Sequence, residues 1–210
     1  MKTMIELCSG SGIMSKTFKE HDYKTITIDN NPTLNPDLCL DVSKLQLCDL
    51  PDKIDVIWFS PPCTSYSIAG IRYHRVKVGE ELRPISNMAF ETDKLIKHII
   101  FIINEILESN PNLIWFIENP RGCLRKMDFM QNIGERYTVT YCQYGDIRMK
   151  PTDIWSNLKG LPFKPMCHNG DPCHESAPRG SKNGTQGLKN AFERGKIPIQ
   201  LCEEIRRFSE

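Results

Sequence analysis

The chain has almost no excess of charge of either sign: 27 Lys and Arg stand against 26 Asp and Glu over 210 residues, a formal net charge of +1. A polyanion finds no global attraction here, so any nucleic-acid contact has to come from local patches. Long apolar runs are also missing. The longest candidate is broken by Asn104 and Glu105, short of the ~18 continuous apolar residues that a spanning helix needs, and no membrane role is expected. The opening Met1-Lys2-Thr3-Met4-Ile5-Glu6 lacks the apolar h-region of an export signal, and the nine cysteines are an odd number. These features point to a soluble, cytoplasmic chain in which cysteines serve catalysis, metal binding or burial rather than disulfides. At this length one catalytic domain with appendages is expected, with a real core and little room for a second lobe.

The stretch around which the rest is organised is Ser60-Pro61-Pro62-Cys63-Thr64-Ser65-Tyr66-Ser67, which follows the apolar run Ile54 to Phe59. It places a cysteine on a loop just past a strand. In an open α/β sheet, ligands collect beyond the carboxyl ends of the strands, so a nucleophile there meets bound substrate. The prolines stiffen the approach to Cys63 through their fixed ring geometry. An ordinary turn with an incidental thiol is the alternative for this stretch taken alone.

Two further segments sit where strands give way to loops. Glu6-Leu7-Cys8-Ser9-Gly10-Ser11-Gly12 reads as a strand end and a Gly-rich turn leading into a helix from Ile13 to Glu20. Gly10 and Gly12 let backbone approach a ligand closely, and the helix N-terminus favours polar or anionic groups. Phe116-Ile117-Glu118-Asn119-Pro120 ends the apolar run that begins at Leu113, which suits a central parallel strand. Between them, Lys24 to Ile28 ends at Asp29, some twenty residues past the glycines, where an acid commonly binds ribose hydroxyls; a plain polar turn through Asn30 and Asn31 is the other reading. Leu38-Cys39-Leu40-Asp41 repeats the pattern more briefly.

With the Gly-rich, Pro-Cys and Glu-Asn segments in that order, the sequence resembles the DNA (cytosine-5) methyltransferases, and its compactness is most similar to their small bacteriophage and prophage members. The resemblance covers roughly residues 4–155. It implies a Rossmann-like S-adenosylmethionine-dependent methyltransferase fold of the α/β class, with a mostly parallel central sheet and helices on both faces. It implies that Leu7, Cys8, Ser9, Gly10, Gly12, Asp29, Asn30, Asp41 and Pro61 line the S-adenosylmethionine site. It further implies methylation of cytosine in DNA, in the setting of phage or restriction-modification DNA methylation. Carbon 5 of cytosine is a poor nucleophile until a thiolate adds at carbon 6, which assigns Cys63. A carboxyl group at ring nitrogen 3 spreads the charge of the adduct, which assigns Glu118. Asn119 braces the Cys63 loop and Ser67 contacts the backbone or the loop. A stacked base is inaccessible to this attack, so a duplex substrate has to be flipped.

The sequence departs from the family in three places. The segment after Tyr144-Gly145 offers only Arg148 and Lys150 where the family has Gln-x-Arg-x-Arg, with Arg148 taken as the residue that reaches the target base. There is no large target-recognition domain after Trp155, and the closing Gly-Asn segment of the cofactor pocket is absent. Arg194-Gly195-Lys196-Ile197 and the residues after it are only weakly similar to a late family segment.

The remaining stretches are less specific. Residues 68–84 carry Arg72, His74, Arg75, Lys77 and Arg83 against Glu80 and Glu81 with no sustained periodicity. They read as a mobile basic loop that closes on a phosphate backbone, or as a solvated surface loop. Residues 87–109 form the longest helix, with Ile96, Ile99, Ile100, Ile103 and Leu107 on one face. Tyr137 to Gln143 reads as a strand and residues 197–208 as a terminal helix.

Residues 156–187 turn to Gly, Pro, Lys and Asn, a composition that does not order itself unaided. Yet Cys167 and Cys173-His174 flank an Asn169-Gly170-Asp171-Pro172 turn, and with Cys142 they suit a tetrahedral structural zinc; free thiols are the alternative. Arg179, Lys182, Lys189, Arg194 and Lys196 form a local basic patch.

The expected organisation is a catalytic domain over 1–156, a Gly/Pro/Cys/His-rich insertion over 157–187 as a reduced recognition region, and a C-terminal helical segment over 188–210. Two rival readings remain open. The same chemistry on RNA, single-stranded DNA or a free cytosine nucleotide is favoured by the missing recognition domain. A zinc-stapled nucleic-acid- or cofactor-binding module without turnover is favoured by the altered arginine segment.

Overall fold

The computed structural model describes residues 1–176, 188 and 190–210. Its centre is a sheet of seven strands built from β1 (Thr3–Leu7), β2 (Lys24–Asp29), β3 (Leu38–Cys39), β4 (Val56–Phe59), β7 (Ile114–Pro120), β8 (Glu135–Thr140) and β9 (Pro151–Ser156), in spatial order β3-β2-β1-β4-β7-β9-β8. The pairs among β3, β2, β1, β4 and β7 are parallel, and β9 joins β7 and β8 antiparallel. This is the expected mostly parallel sheet with an antiparallel edge. From β1 the chain runs outward through β2 and β3, then returns to β4 on the other side of β1. That reversal opens a crevice at the carboxyl ends of β1 and β4, the usual ligand position in such sheets.

Alternation along the strands divides the core in two. In β4, Ile57 and Phe59 enter one layer while Val56 and Trp58 enter the other. The first layer is closed by α3 (Asn87–Ser109) through Ile96, Ile99 and Ile103, all nearly fully buried. Each such side chain contributes about 1.5–3 kcal/mol by leaving water. Ser86 starts α3 by accepting a hydrogen bond from the Ala89 amide at 3.2 Å, and Asn110 ends it, one residue before Pro111. The second layer is closed by α1 (Ile13–Lys19) through Met14 and Phe18, and by α5 (Ile199–Phe208) through Leu201 and Ile205. Among the described residues no helix is long and apolar enough to cross a membrane.

Two expectations are corrected here. Residues 68–84 are not an aperiodic loop: a short α2 (Ile71–His74) leads into a hairpin of β5 (Arg75–Val78) and β6 (Glu81–Pro84). The hairpin is anchored by Arg75, whose side chain is fully buried, so Arg75 does not face a phosphate backbone. Lys77 and Arg83 are exposed on it, and Arg72 is exposed on α2. Also, the start of the polar segment after β9 is not free of a core. Leu158, Leu161 and Phe163 pack on the second layer, and the Phe163 ring meets Phe208 edge-on at 5.0 Å. A few borrowed apolar contacts order what its composition alone would not. Of the basic patch, Arg179, Lys182 and Lys189 lie outside the described residues, while α4 (Ala191–Gly195) carries Arg194.

Candidate active site

The Gly-rich turn leaves β1 through left-handed backbone at Cys8 (φ 54°), Gly10 (φ 52°) and Gly12 (φ 64°). Glycine tolerates this region without penalty, which lets the turn fold back tightly. Asp29, at the end of β2, ties the turn down: its Oδ2 accepts from the Gly10 amide at 3.0 Å and its Oδ1 from the Asn31 amide at 2.9 Å. Burial, followed by the charges of Asp29 and Asp41, pushes the Cys8 thiol up to about 12. Both acids therefore face the turn from the ends of β2 and β3. Asp41 also caps a short turn by accepting from the Ser43 amide at 3.0 Å, an arrangement that lowers its pKa. Leu7 and Ser9 are buried in the floor, and Asn30 is exposed at the rim. On the opposite side of β1, Glu6 accepts from the Ser15 amide at 2.7 Å and, deprived of water, is raised to about 7.

Cys63 leaves β4 through a buried Pro61 and heads the 3-10 turn Thr64–Tyr66. Asn119, at the end of β7, donates from Nδ2 to the Pro61 carbonyl at 3.0 Å. A second brace comes from Gly122: a Cβ there would lie 2.4 Å from the Tyr66 carbonyl, which the Cys123 amide reaches at 2.9 Å. Only a residue without a side chain allows that approach. The hairpin holds the turn from the other side. Arg75 stacks on Tyr66 at 4.4 Å, donates to the Ser65 carbonyl at 3.0 Å and pairs with Asp93 of α3, which also accepts from the Tyr66 hydroxyl at 2.6 Å. Ser67 lies exposed just after the turn.

Glu118 is buried beside this loop, accepting from the Tyr141 hydroxyl at 3.0 Å and bonded to Ser60. Burial raises its pKa, opposed by the nearby Lys150 ammonium. Cys63 is solvent-exposed as a residue, yet crowding around its thiol raises its pKa too, with Glu118 adding to the rise and Lys150 and Arg194 opposing it. Lys150 is itself buried; desolvation lowers its pKa, countered by Glu118 and Cys63. Its ammonium lies 4.5 Å from the centre of the Tyr141 ring and donates to the Arg194 carbonyl at 3.1 Å. Thiol, carboxyl and ammonium thus form one electrostatic unit, and the C-terminal segment closes on it.

The sequence-derived catalytic residues are not all in one place. Cys63, Glu118 and Asn119 come together. Arg148 is buried but turned away, ion-paired with Asp146 and donating to the Arg194 carbonyl at 3.0 Å. Lys150, two residues on, lies over the ring of Tyr141, the residue that donates to Glu118. The Arg75-Asp93-Tyr66 network was legible only through one irregularity: Asp93 falls three residues before Ile96 on the apolar face of α3, and a charge on a buried face requires a partner. The four expected metal ligands do converge, with Cys142, Cys167, Cys173 and His174 donor atoms all within 4.8 Å of one another.

Several solved structures are similar in part. One is a DNMT2 mutant from Spodoptera frugiperda, at 19% identity and a TM-score of 0.46, covering 78% of this chain and 53% of its own. An Escherichia coli prophage protein assigned provisionally to DNA modification methyltransferases is similar at 16% identity and a TM-score of 0.48, covering 74% and 46%. The methyltransferase subunit of a Streptococcus thermophilus type I restriction-modification system is similar at 14% and 0.43, covering 74% and 39%. This chain spans about half the length of the first two structures or less. A search of curated proteins finds no match. The family model for C-5 cytosine-specific DNA methylase matches residues 2–128, and it is within that match that the Gly-rich turn, Cys63 and Glu118 stand around one crevice: the chain belongs to the C-5 cytosine-specific DNA methylase family.

Proposed function

We propose that this chain transfers a methyl group from S-adenosylmethionine to carbon 5 of cytosine in DNA through a covalent adduct with Cys63. The observation that carries this reading is that β1, β4 and β7 are parallel neighbours in register, so that the Gly-rich turn, the Cys63 loop and Glu118 stand at the same end of the sheet, with Asn119 tied to the Pro61 carbonyl at 3.0 Å.

The cofactor site fits its role: a glycine turn in left-handed backbone faces two carboxylates at the ends of neighbouring strands. Leu7, Cys8, Ser9, Gly10 and Gly12 would hold the methionine side, with Asp29, Asn30 and Asp41 toward the nucleoside and Pro61 across the crevice. S-adenosylmethionine supplies the electrophilic methyl when bound.

The Cys63 thiolate adds to carbon 6 of the ring, and the displaced electron pair makes carbon 5 nucleophilic. Glu118, whose pKa is raised by burial, gives a proton to ring nitrogen 3 and neutralises the adduct. Tyr141 fixes the orientation of Glu118, and Lys150 favours the thiolate against the desolvation that opposes it. After carbon 5 gains the methyl, loss of its proton, with water as the acceptor, restores the double bond and expels Cys63 as the thiolate, while ring nitrogen 3 returns its proton to Glu118. Asn119 keeps nucleophile and acid in register. Arg148 acts through the segment that carries Lys150 rather than on the base.

A duplex substrate has to present a flipped cytosine. The exposed Arg72 on α2 and Lys77 and Arg83 on the hairpin are suited to its phosphates. Residues 157–187 serve as a reduced recognition region, its described part around 167–174 held by zinc, and the C-terminal segment packs back on the catalytic domain.

The test is transfer of labelled methyl from S-adenosylmethionine to duplex DNA, single-stranded DNA, tRNA and free cytosine nucleotides, with Cys63→Ser in parallel. Label in 5-methylcytosine of DNA, lost in the variant, is the expected result. Label confined to RNA or nucleotide would move the substrate, and no transfer despite cofactor binding would sink the enzymatic reading.

A further inference from the structure

Between residues 164 and 176 only Cys167 is buried. A segment of thirteen residues with one buried side chain has no hydrophobic reason to hold a single conformation. It is nonetheless drawn against the turn Tyr141–Tyr144 at several points: the Cys167 amide donates to the Thr140 hydroxyl at 3.0 Å, and the Glu175 amide to the Ile147 carbonyl at 2.8 Å. At the centre of these contacts stand three thiols and an imidazole. Cys142 and Cys167 sulfurs are 3.0 Å apart and those of Cys142 and Cys173 3.6 Å. His174 Nδ1 is 3.8 Å from Cys167 and 3.7 Å from Cys173.

Three of these four separations suit one tetrahedral ion, and the Cys142–Cys167 pair stands closer than such an ion would hold it. With Zn–S bonds of about 2.3 Å, two sulfurs on tetrahedral corners lie about 3.8 Å apart. A disulfide would use two of the thiols and leave the third and the imidazole without a role. Adjacent ligands rarely point at one ion, but here a tight turn feeds them in: Gly170 takes φ 96° and the Asp171 amide donates to the His168 carbonyl at 3.1 Å. That turn sends His168 outward, 87% exposed in its side chain, and so selects His174 as the fourth ligand.

We propose that Cys142, Cys167, Cys173 and His174 bind one zinc ion, and that this ion positions Glu118 and Lys150 through Tyr141. The link is one peptide long. Tyr141 precedes the ligand Cys142, donates to Glu118 and lies under the Lys150 ammonium. Beyond the turn, the Ile147 carbonyl held by Glu175 stands three residues before Lys150. The metal therefore locks the outer side of the peptide whose inner side lines the crevice. Ligand thiols lose their protons on binding, so the ion would supply the cross-link and offset two of the three thiolate charges. The positioning role rests on the methyltransferase reading; the metal site does not.

The experiment uses the full chain purified under reducing conditions without added metal. Elemental analysis is expected to give one zinc per chain, reduced to a small fraction in Cys173→Ser and His174→Ala and kept in Cys48→Ser, whose thiol is exposed elsewhere. Chelation is expected to speed proteolysis within residues 164–176 and zinc alone to restore protection; cobalt exchange should give the absorption of a tetrahedral thiolate site. Chelation should also slow adduct formation with 5-fluorocytosine DNA at least tenfold while S-adenosylmethionine affinity stays unchanged. No stoichiometric metal, or a Cys142–Cys167 disulfide in the reduced preparation, overturns the site. Loss of cofactor affinity together with adduct formation overturns the positioning role. Zinc and protease protection with no methyl transfer to any substrate leaves the metal site standing and counts against the enzyme.

Discussion

Asn119 donates from Nδ2 to the carbonyl of Pro61 at 3.0 Å, so the strand end that carries Glu118 is tied two residues upstream of Cys63. The proposed nucleophile follows β4 and the proposed acid lies in the neighbouring β7, and this bond ties the two. Asn119→Ala leaves the Pro61 carbonyl unpaired in a buried setting, at a cost of about 1–3 kcal/mol. A drop in melting temperature and a fall in kcat of about 10–100-fold, with KM for cofactor little changed, are expected from thermal melts and steady-state methyl transfer.

Glu118→Gln keeps the shape of the site but has no proton to give to ring nitrogen 3. Methyl transfer should fall about 10²–10⁴-fold. The trapped adduct with 5-fluorocytosine DNA should form correspondingly slowly in denaturing gels. A variant as active as the parent would remove Glu118 from the chemistry.

Lys150 lowers the pKa of both Cys63 and Glu118. Removing its charge lets both rise. Because the reaction needs the Cys63 thiolate, the acid limb of the rate profile should move to higher pH in Lys150→Met and stay in place in Lys150→Arg. Single-turnover rates across pH 6–10 (roughly the range of a perturbed thiol) provide the measurement, and an unmoved limb in Lys150→Met contradicts the assignment.

Arg75 and Asp93 form a buried pair beneath the Cys63 turn. Removing one partner strands the other charge, so Arg75→Met or Asp93→Asn should each cost about 3–5 kcal/mol. The double variant should recover part of that loss, which denaturant titration of all four proteins would reveal as a coupling energy.

Glu6 has a folded-state pKa raised to about 7 by burial. The folded protein holds that proton more tightly than the unfolded chain, so the stabilisation is full below the unfolded value near 4.5 and is lost as pH rises through about 7. The loss is about 3 kcal/mol. Glu6→Gln should flatten stability over that window in urea melts; an unchanged slope would show that Glu6 ionises normally.

The local features that the sequence determined by itself are those whose physics is local. The apolar runs at β4 and β7, the glycines after β1, the length of α3 and its Ile96-Ile99-Ile103 stripe follow from periodicity, backbone freedom and capping. The roles proposed for Cys63 and Glu118, and the four ligands of the proposed zinc, come from residue type and order along the chain, which restrict what they can do. Other features depend on which surfaces meet. That residues 75–84 form a hairpin is decided by burial of Arg75 against Asp93, eighteen residues away in the chain. That Lys150 lies 4.5 Å from the centre of the Tyr141 ring and Arg148 5.9 Å is decided by Asp146, which pairs with Arg148, and by the Arg194 carbonyl, more than forty residues away, which accepts from both. Alternation along a strand places successive side chains on opposite faces, but which face opens on the crevice is settled only when the distant segments pack.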